Sequence, residues 1–168
     1  LATVGIEEIG ETIRTPKIFQ LYYHKDKALT WGMIDRCRDA GFDALALTVD
    51  TIVGGNRERD LWTGFTSPPR LTPSSLASFA THPSWTLNYL LREPFELSNL
   101  KDHIPEGSNV SISVSDYFST MLDQTMDWDA AAEVRERWGK AFCLKGIMSV
   151  EDAKRAIEIG ADAIMVSN

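Results

Sequence analysis

A carboxamide, a phenol, a hydroxyl, a carboxylate and an ammonium stand at the ends of three short apolar runs in this chain. Gln20 and Tyr22 close Ile18–Tyr22, Thr48 and Asp50 close Ala44–Asp50, and Lys145 closes Phe142–Lys145. Side chains of a strand alternate with period two, so Ile18, Gln20 and Tyr22 share one face. Ala44, Ala46, Thr48 and Asp50 share another, and Cys143 and Lys145 a third. A carboxylate at the end of a buried strand needs a partner, as does an ammonium closing an apolar one. Arg57, beyond Asp50 in the run GGNRERD, offers a planar fork that can hold a carboxylate through two hydrogen bonds. Polar groups converging at the carboxyl ends of parallel strands are what a (β/α) barrel uses for an active site. A lysine at a strand end also suits a Schiff-base nucleophile.

Each residue has a plainer reading. Taken alone, Gln20 reads as a buried structural amide, Tyr22 as a core tyrosine with a satisfied hydroxyl, and Thr48 as a β-branched strand residue. Asp50 could cap a helix, and Arg57 could belong to a solvated charge run with Glu58, Arg59 and Asp60. That second reading is the one we give Arg59. Tyr23, of opposite parity to Tyr22, is expected to be structural, and His24 to face solvent.

The elements that must position these groups repeat along the chain. A short helix over Ile6–Ile13 ends before Thr15-Pro16, because a residue preceding proline is pushed out of the helical region. Ala28–Ala40 carries Leu29, Met33, Cys37 and Ala40 at helical spacing and stops at Gly41. Ser149 can cap a second such helix, with Asp152 at its third position and Val150, Ala153, Ala156 and Ile157 as its apolar face, stopped by Gly160. The joints AGFDALALTV and IGADAIMVSN both read as helix, glycine, aspartate, buried strand. Repeated units of this kind build either an eight-stranded barrel or a doubly wound sheet. The absence of a glycine-rich phosphate turn after any strand favours the barrel, whose active sites gather at the carboxyl ends of the strands.

Residues 51–140 form a long insert between two core strands, where connections are usually a few residues. Thr72-Pro73 and His82-Pro83 predict helices over Ser74–Ala80 and Ser84–Leu91; Ser115–Leu122 and Trp128–Trp138 are read as helices too. Such an insert over a strand's carboxyl end serves as a lid, a binding loop or an oligomer contact. Four strands are expected, near 18–22, 44–49, 142–145 and 163–166. Four cannot close an eight-stranded barrel, so residues 1–168 are read as an incomplete (β/α)8 TIM barrel.

Composition narrows the partners. Twenty-four acidic against seventeen basic residues give a net charge of −7, which opposes nonspecific binding to nucleic acid. No apolar run approaches the ~20 residues that span a bilayer. Cys37 and Cys143 are expected as free buried thiols, in keeping with a reducing cytoplasm.

The segments FQLY, LTVD followed by GGNRERD, LKGI and GADAIMVSN, in that order and across nearly the whole chain, resemble the FMN-dependent α-hydroxy acid dehydrogenases and oxidases. The insert, with NRERD, GFTSPP, SFATHPSW and FELSNL, is most similar to bacterial cytochrome-linked L-lactate dehydrogenases. The resemblance implies oxidation of an L-2-hydroxy acid, with L-lactate favoured, and FMN as cofactor. It implies Gln20 and Thr48 as flavin contacts and Lys145 at the flavin N1/O2 edge. Tyr22 and Arg57 would bind substrate, with Arg57 on the carboxylate, and Asp50 would orient the catalytic histidine. It also implies an electron acceptor (cytochrome, quinone or oxygen), a homo-oligomer, and a cytoplasmic enzyme peripheral to the inner membrane.

One departure stands against these matches. The family's catalytic histidine directly follows the VSN strand, in a segment reading HGGRQ, and this sequence stops at Asn168. His24, His82 and His103 do not occupy that position. The expectation is therefore an enzyme segment inactive by itself. The rival readings are an aldolase-type barrel using Lys145 and an inactive interaction module.

Overall fold

The computed structural model describes residues 3–51, 58–63, 72–92, 98–100 and 120–167. Four parallel strands, β1 (Ile18–Tyr22), β2 (Ala44–Thr48), β3 (Ala141–Lys145) and β4 (Ala163–Met165), pair in chain order β1-β2-β3-β4. A doubly wound sheet reverses its strand order at a switch point, where its ligand crevice opens. No reversal occurs among these strands, and a barrel advances in this way around its circumference.

The helices among the described residues are α1 (Ile6–Thr12), α2 (Lys27–Asp39), α3 (Glu58–Thr63), α4 (Pro73–Thr81), α5 (Pro83–Leu91), α6 (Trp128–Trp138) and α7 (Val150–Glu158). α2 starts at Asp26, whose carboxylate accepts from the N–H groups of Ala28 and Leu29 at 2.9 and 3.4 Å. Leu29, Met33 and Cys37 are buried, as the spacing predicts, Ile34 joins them, and Ala40 is half-buried against the core. Asp127 caps α6 by accepting from the Ala130 N–H at 2.9 Å, and α6 buries Ala131, Val134 and Trp138. Prolines 73 and 83 are the first residues of α4 and α5, the position expected of them from the sequence. A proline at that position gives up no N–H that the helix needs.

The two faces of the sheet differ sharply. Leu21, Leu45, Leu47, Phe142 and Leu144 point to one side and form the core with the apolar faces of α2 and α6. Gln20, Tyr22, Thr48 and Lys145 occupy the alternate positions, on the other side. Cys143 lies on this second face and is half-buried, which corrects the expectation of a buried thiol; Cys37 is buried as expected.

The repeated joint proves to be one hydrogen-bonded device used twice. Gly41 and Gly160 sit at φ +70° and +77°, which favours glycine. Around them, Phe42 N–H donates to Cys37 O and Gly41 N–H to Arg38 O, while Ala161 N–H donates to Ala156 O and Gly160 N–H to Ile157 O. These are Schellman closures. The aspartate that follows then grips the neighbouring strand through both its side chain and its backbone. Asp43 Oδ2 accepts from Lys17 N–H at 2.7 Å while Asp43 N–H donates to Lys17 O at 2.9 Å. Asp162 Oδ2 accepts from Phe142 N–H at 2.8 Å while Asp162 N–H donates to Phe142 O at 2.9 Å.

Several expectations change. His24 is 1% exposed, not solvent-facing: its N–H donates to Thr30 Oγ1 at 3.1 Å, and it forms an antiparallel bridge with Leu122. The helix expected over Ser115–Leu122 lies mostly outside the described residues, and its last residue is in that bridge. There the insert returns along the continuation of β1, with Lys25 N–H donating to Met121 O and Asp123 N–H to Tyr23 O. Ser149 caps α7 by accepting from Asp152 N–H at 3.0 Å, as read from the sequence. Of the apolar face assigned to that helix, however, only Ala153 and Ala156 meet the core, and Val150 and Ile157 are exposed.

The insert also touches α1. Asn99 Oδ1 accepts from Ile6 N–H at 3.0 Å, filling the role of a cap that Gly5 cannot supply by side chain. Glu7 holds Arg36 through contacts of 2.6 and 2.8 Å, and that guanidinium keeps the Glu7 carboxyl down at about 2.

Candidate functional site

Parallel register lines up the chemistry. Tyr22 is paired with Thr48, Thr48 with Lys145 and Lys145 with Met165, so the last residues of β1, β2 and β3 form one row. Gln20 lies one inward-facing step back, beside Ala46, whose neighbour in turn is Cys143. The exposed Gln20 amide reaches forward: Nε2 donates to Thr48 Oγ1 at 2.9 Å and to Tyr22 Oη at 3.3 Å. The plainer reading of Gln20 as a buried amide is thereby set aside. Burial pushes the Tyr22 phenol up, the Asp50 carboxylate adds to this, and the Gln20 bond opposes both. Tyr22 is therefore a neutral hydroxyl at physiological pH.

Asp50 comes to this row by a single ladder step beyond β2. Val49 N–H donates to Lys145 O at 2.9 Å, which carries the chain over towards β3. Asp50 Oδ2 lies 3.7 Å from Lys145 Nζ, with the two side chains 18% and 23% exposed. Ser167 bridges them from one side: its Oγ accepts from Lys145 Nζ at 2.9 Å and donates to Asp50 Oδ2 at 3.0 Å.

Gly146 makes this arrangement possible. Its φ is +105°, and a Cβ built there would lie 2.5 Å from both Cβ and Cγ of Asp50. The backbone turn after β3 and the carboxylate of Asp50 occupy space that no larger residue would leave open.

The structure thus brings together Gln20, Tyr22, Thr48, Asp50 and Lys145. Arg57 lies outside the described residues. Arg59 is exposed, in line with a solvated charge run, and Tyr23 is buried edge-on against Trp31, ring centroids 6.3 Å apart, as its parity predicts. Sequence reasoning missed Ser167 and Gly146. The available signals were a hydroxyl in VSN directly after a strand and a glycine directly after the lysine of LKGI.

The sequence profile of the family described as FMN-dependent dehydrogenase matches residues 1–168. This chain belongs to that family. It is 33% identical to a putative L-lactate dehydrogenase of Mycobacterium tuberculosis, with 100% of this chain and 39% of that protein covered. It is 34% identical to an L-lactate dehydrogenase of Vibrio parahaemolyticus, covering 97% of this chain and 43% of the relative. Among solved structures, the monotopic membrane protein (S)-mandelate dehydrogenase superposes with a TM-score of 0.87 at 28% identity, over 99% of this chain and 43% of that one. A lactate oxidase of Pediococcus acidilactici does so with a TM-score of 0.68 at 27% identity, over 99% and 36%. The chain therefore spans less than half the length of the relatives it matches, and its four strands are an arc of a TIM barrel. Membership sets aside the aldolase reading of Lys145.

FMN is the cofactor of the family. The donor set fits it. A carboxamide, a hydroxyl and an ammonium along one open sheet face suit a planar ring edge that alternates carbonyl oxygens with ring nitrogens.

Proposed function

We propose that this chain supplies the flavin-facing arc of an FMN-dependent L-2-hydroxy acid dehydrogenase, with L-lactate as substrate. The observation that carries this reading is the band formed by Gln20, Tyr22, Thr48 and Lys145 across three adjacent strand ends, with Asp50 beside it. FMN, when bound, takes the two electrons of the oxidation. Gln20 and Thr48 hold its pyrimidine edge, and Lys145 places positive charge beside it, a usual way for a protein to tune a cofactor. Tyr22 presents its neutral hydroxyl to the substrate, and Arg57 binds the substrate carboxylate. Asp50 orients and stabilises, in its protonated form, a histidine supplied by the complete enzyme, since relatives of more than twice this length provide room for it. The 168 residues alone have negligible activity in this reading, because general acid–base catalysis typically contributes ~10²–10⁴-fold.

Arg57→Met in the complete enzyme is the test. Saturation by L-lactate should require at least tenfold more substrate, because a hydrogen bond to a charged group is worth roughly 1.5–3 kcal/mol. FMN affinity, measured by fluorescence quenching, should change little. An unchanged lactate dependence would return Arg57 to the solvated charge run. Failure of the unaltered enzyme to bind FMN would leave the interaction-module reading in possession.

We further infer that the α4–α5 hairpin attaches the protein to the surface of the inner membrane from its cytoplasmic side. From Leu71 to Leu91 the sequence has no Asp, Glu, Lys or Arg, and Arg70 and Arg92 flank it. Leu76, Trp85, Leu87, Leu90 and Leu91 are exposed on these helices. No helix among the described residues is long and apolar enough to cross a membrane, so the attachment would be interfacial. The likeness to (S)-mandelate dehydrogenase, a monotopic membrane protein, supports the same reading. With a net charge of −7 opposing anionic lipid, the binding should be apolar and survive ~0.5 M salt, which screens exposed charges. Co-sedimentation with liposomes should fall several-fold in Trp85→Ser/Leu90→Ser. Undiminished pelleting of that variant would count against the hairpin, and concentration-dependent self-association without lipid would assign it to an oligomer contact.

A further inference from the structure

The Lys145–Asp50 pair is not in direct contact. Its 3.7 Å separation is longer than the ~2.7–2.9 Å of a charge-assisted N–H···O bond, although both side chains are largely buried and nothing in their charges keeps them apart. Ser167 is hydrogen-bonded to both partners. Its single hydroxyl accepts from the ammonium at 2.9 Å and donates to the carboxylate at 3.0 Å. A hydroxyl has one proton and two lone pairs, so this use of both functions fixes its orientation. Gly146 closes the opposite side of Asp50. The carboxylate is thus held between a serine hydroxyl and a glycine that leaves no spare volume.

We propose that Ser167 is a positioning residue: a spacer that keeps Lys145 and Asp50 from collapsing into a direct ion pair. In the proposed function, on which this inference rests, the two charges have separate tasks. Lys145 must remain available to the flavin edge, and Asp50 to an imidazole. A direct contact would satisfy each with the other. By bridging them, Ser167 holds both near one another while leaving each free on its open side. A merely structural serine would alter stability when replaced and leave the electrostatics of the flavin site as they were.

Two measurements test this, one with flavin and one without. Sulfite adds to the flavin ring and leaves it negatively charged, so its affinity for the FMN-loaded complete enzyme reports the positive charge offered by Lys145. Ser167→Ala should weaken sulfite binding by about tenfold, the scale of one hydrogen bond to a charged group, with FMN affinity and thermal midpoint nearly unchanged. Ser167→Thr, which keeps the hydroxyl, should restore it. In parallel, a crystal structure of Ser167→Ala, flavin-free, should show Lys145 Nζ and Asp50 Oδ2 closing from 3.7 Å to about 2.8 Å. An unchanged separation overturns the spacer whether or not FMN binds. So does wild-type sulfite affinity in the alanine variant, or a threonine variant that fails to restore it. A protein that binds no FMN while the gap closes would overturn the proposed function and leave the spacer standing.

Discussion

Gly146→Ala should unfold this protein more readily than a methyl added at any other described glycine of positive φ. The new Cβ would lie 2.5 Å from two carbon atoms of Asp50, at a backbone φ of +105°. Two costs therefore combine. An L-residue forced into such a conformation costs of order 1–3 kcal/mol, and an overpacked methyl typically adds 1–3 kcal/mol. A loss of about 2–6 kcal/mol is expected in urea titration. Gly41→Ala provides the comparison: its φ is +70°, but nothing lies within 4 Å of the added carbon. That variant should lose only about 1–2 kcal/mol. Equal losses would mean that Asp50 moves aside freely and that its seat beside Lys145 is not fixed by the turn after β3.

Lys145→Met should have the largest effect on flavin. The variant removes an ammonium at the end of β3 that contacts Ser167 and faces Asp50. FMN should bind at least tenfold more weakly, and its reduction potential should fall, because a bond to a charged group is worth roughly 1.5–3 kcal/mol. The substitution also strips Asp50 of its cation, and an uncompensated carboxylate with 18% exposure destabilises the fold. Lys145→Met/Asp50→Asn separates the two effects in a double-mutant cycle. Folding stability should largely return in the double variant, and flavin affinity should not. Normal FMN affinity and potential in the single variant would remove the main support for a flavin edge at this row.

Strand positions and side-chain parity were legible because period-two alternation and helix stops are local. The order of the polar residues on β1, β2 and β3 placed Gln20, Tyr22, Thr48 and Lys145 on one face, and parallel register then aligned them. The link between Asp50 and Lys145 was not legible. It depends on a turn, a glycine and a serine drawn from separate segments, with Ser167 standing 117 residues from Asp50. His24 failed for a related reason: a polar residue just past a strand reads as solvent-facing, and the returning insert that covers it cannot be seen from its neighbours. The exposure of Val150 and Ile157 shows the converse limit, since periodicity gives a helix an apolar face without saying what lies against it.

The paired grips of Asp43 on Lys17 and Asp162 on Phe142 lie at the opposite ends of the strands from Lys145 and Thr48. Yet they act as the sheet's reading frame. A slip of one residue would exchange Tyr22, Thr48 and Lys145 for Leu21, Leu47 and Leu144 on the open face, because strand parity is absolute. An aspartate that binds one particular backbone N–H cannot follow such a slip. The register of β1 against β2, and of β4 against β3, is thus held from the far edge of the sheet, by residues remote from the polar row.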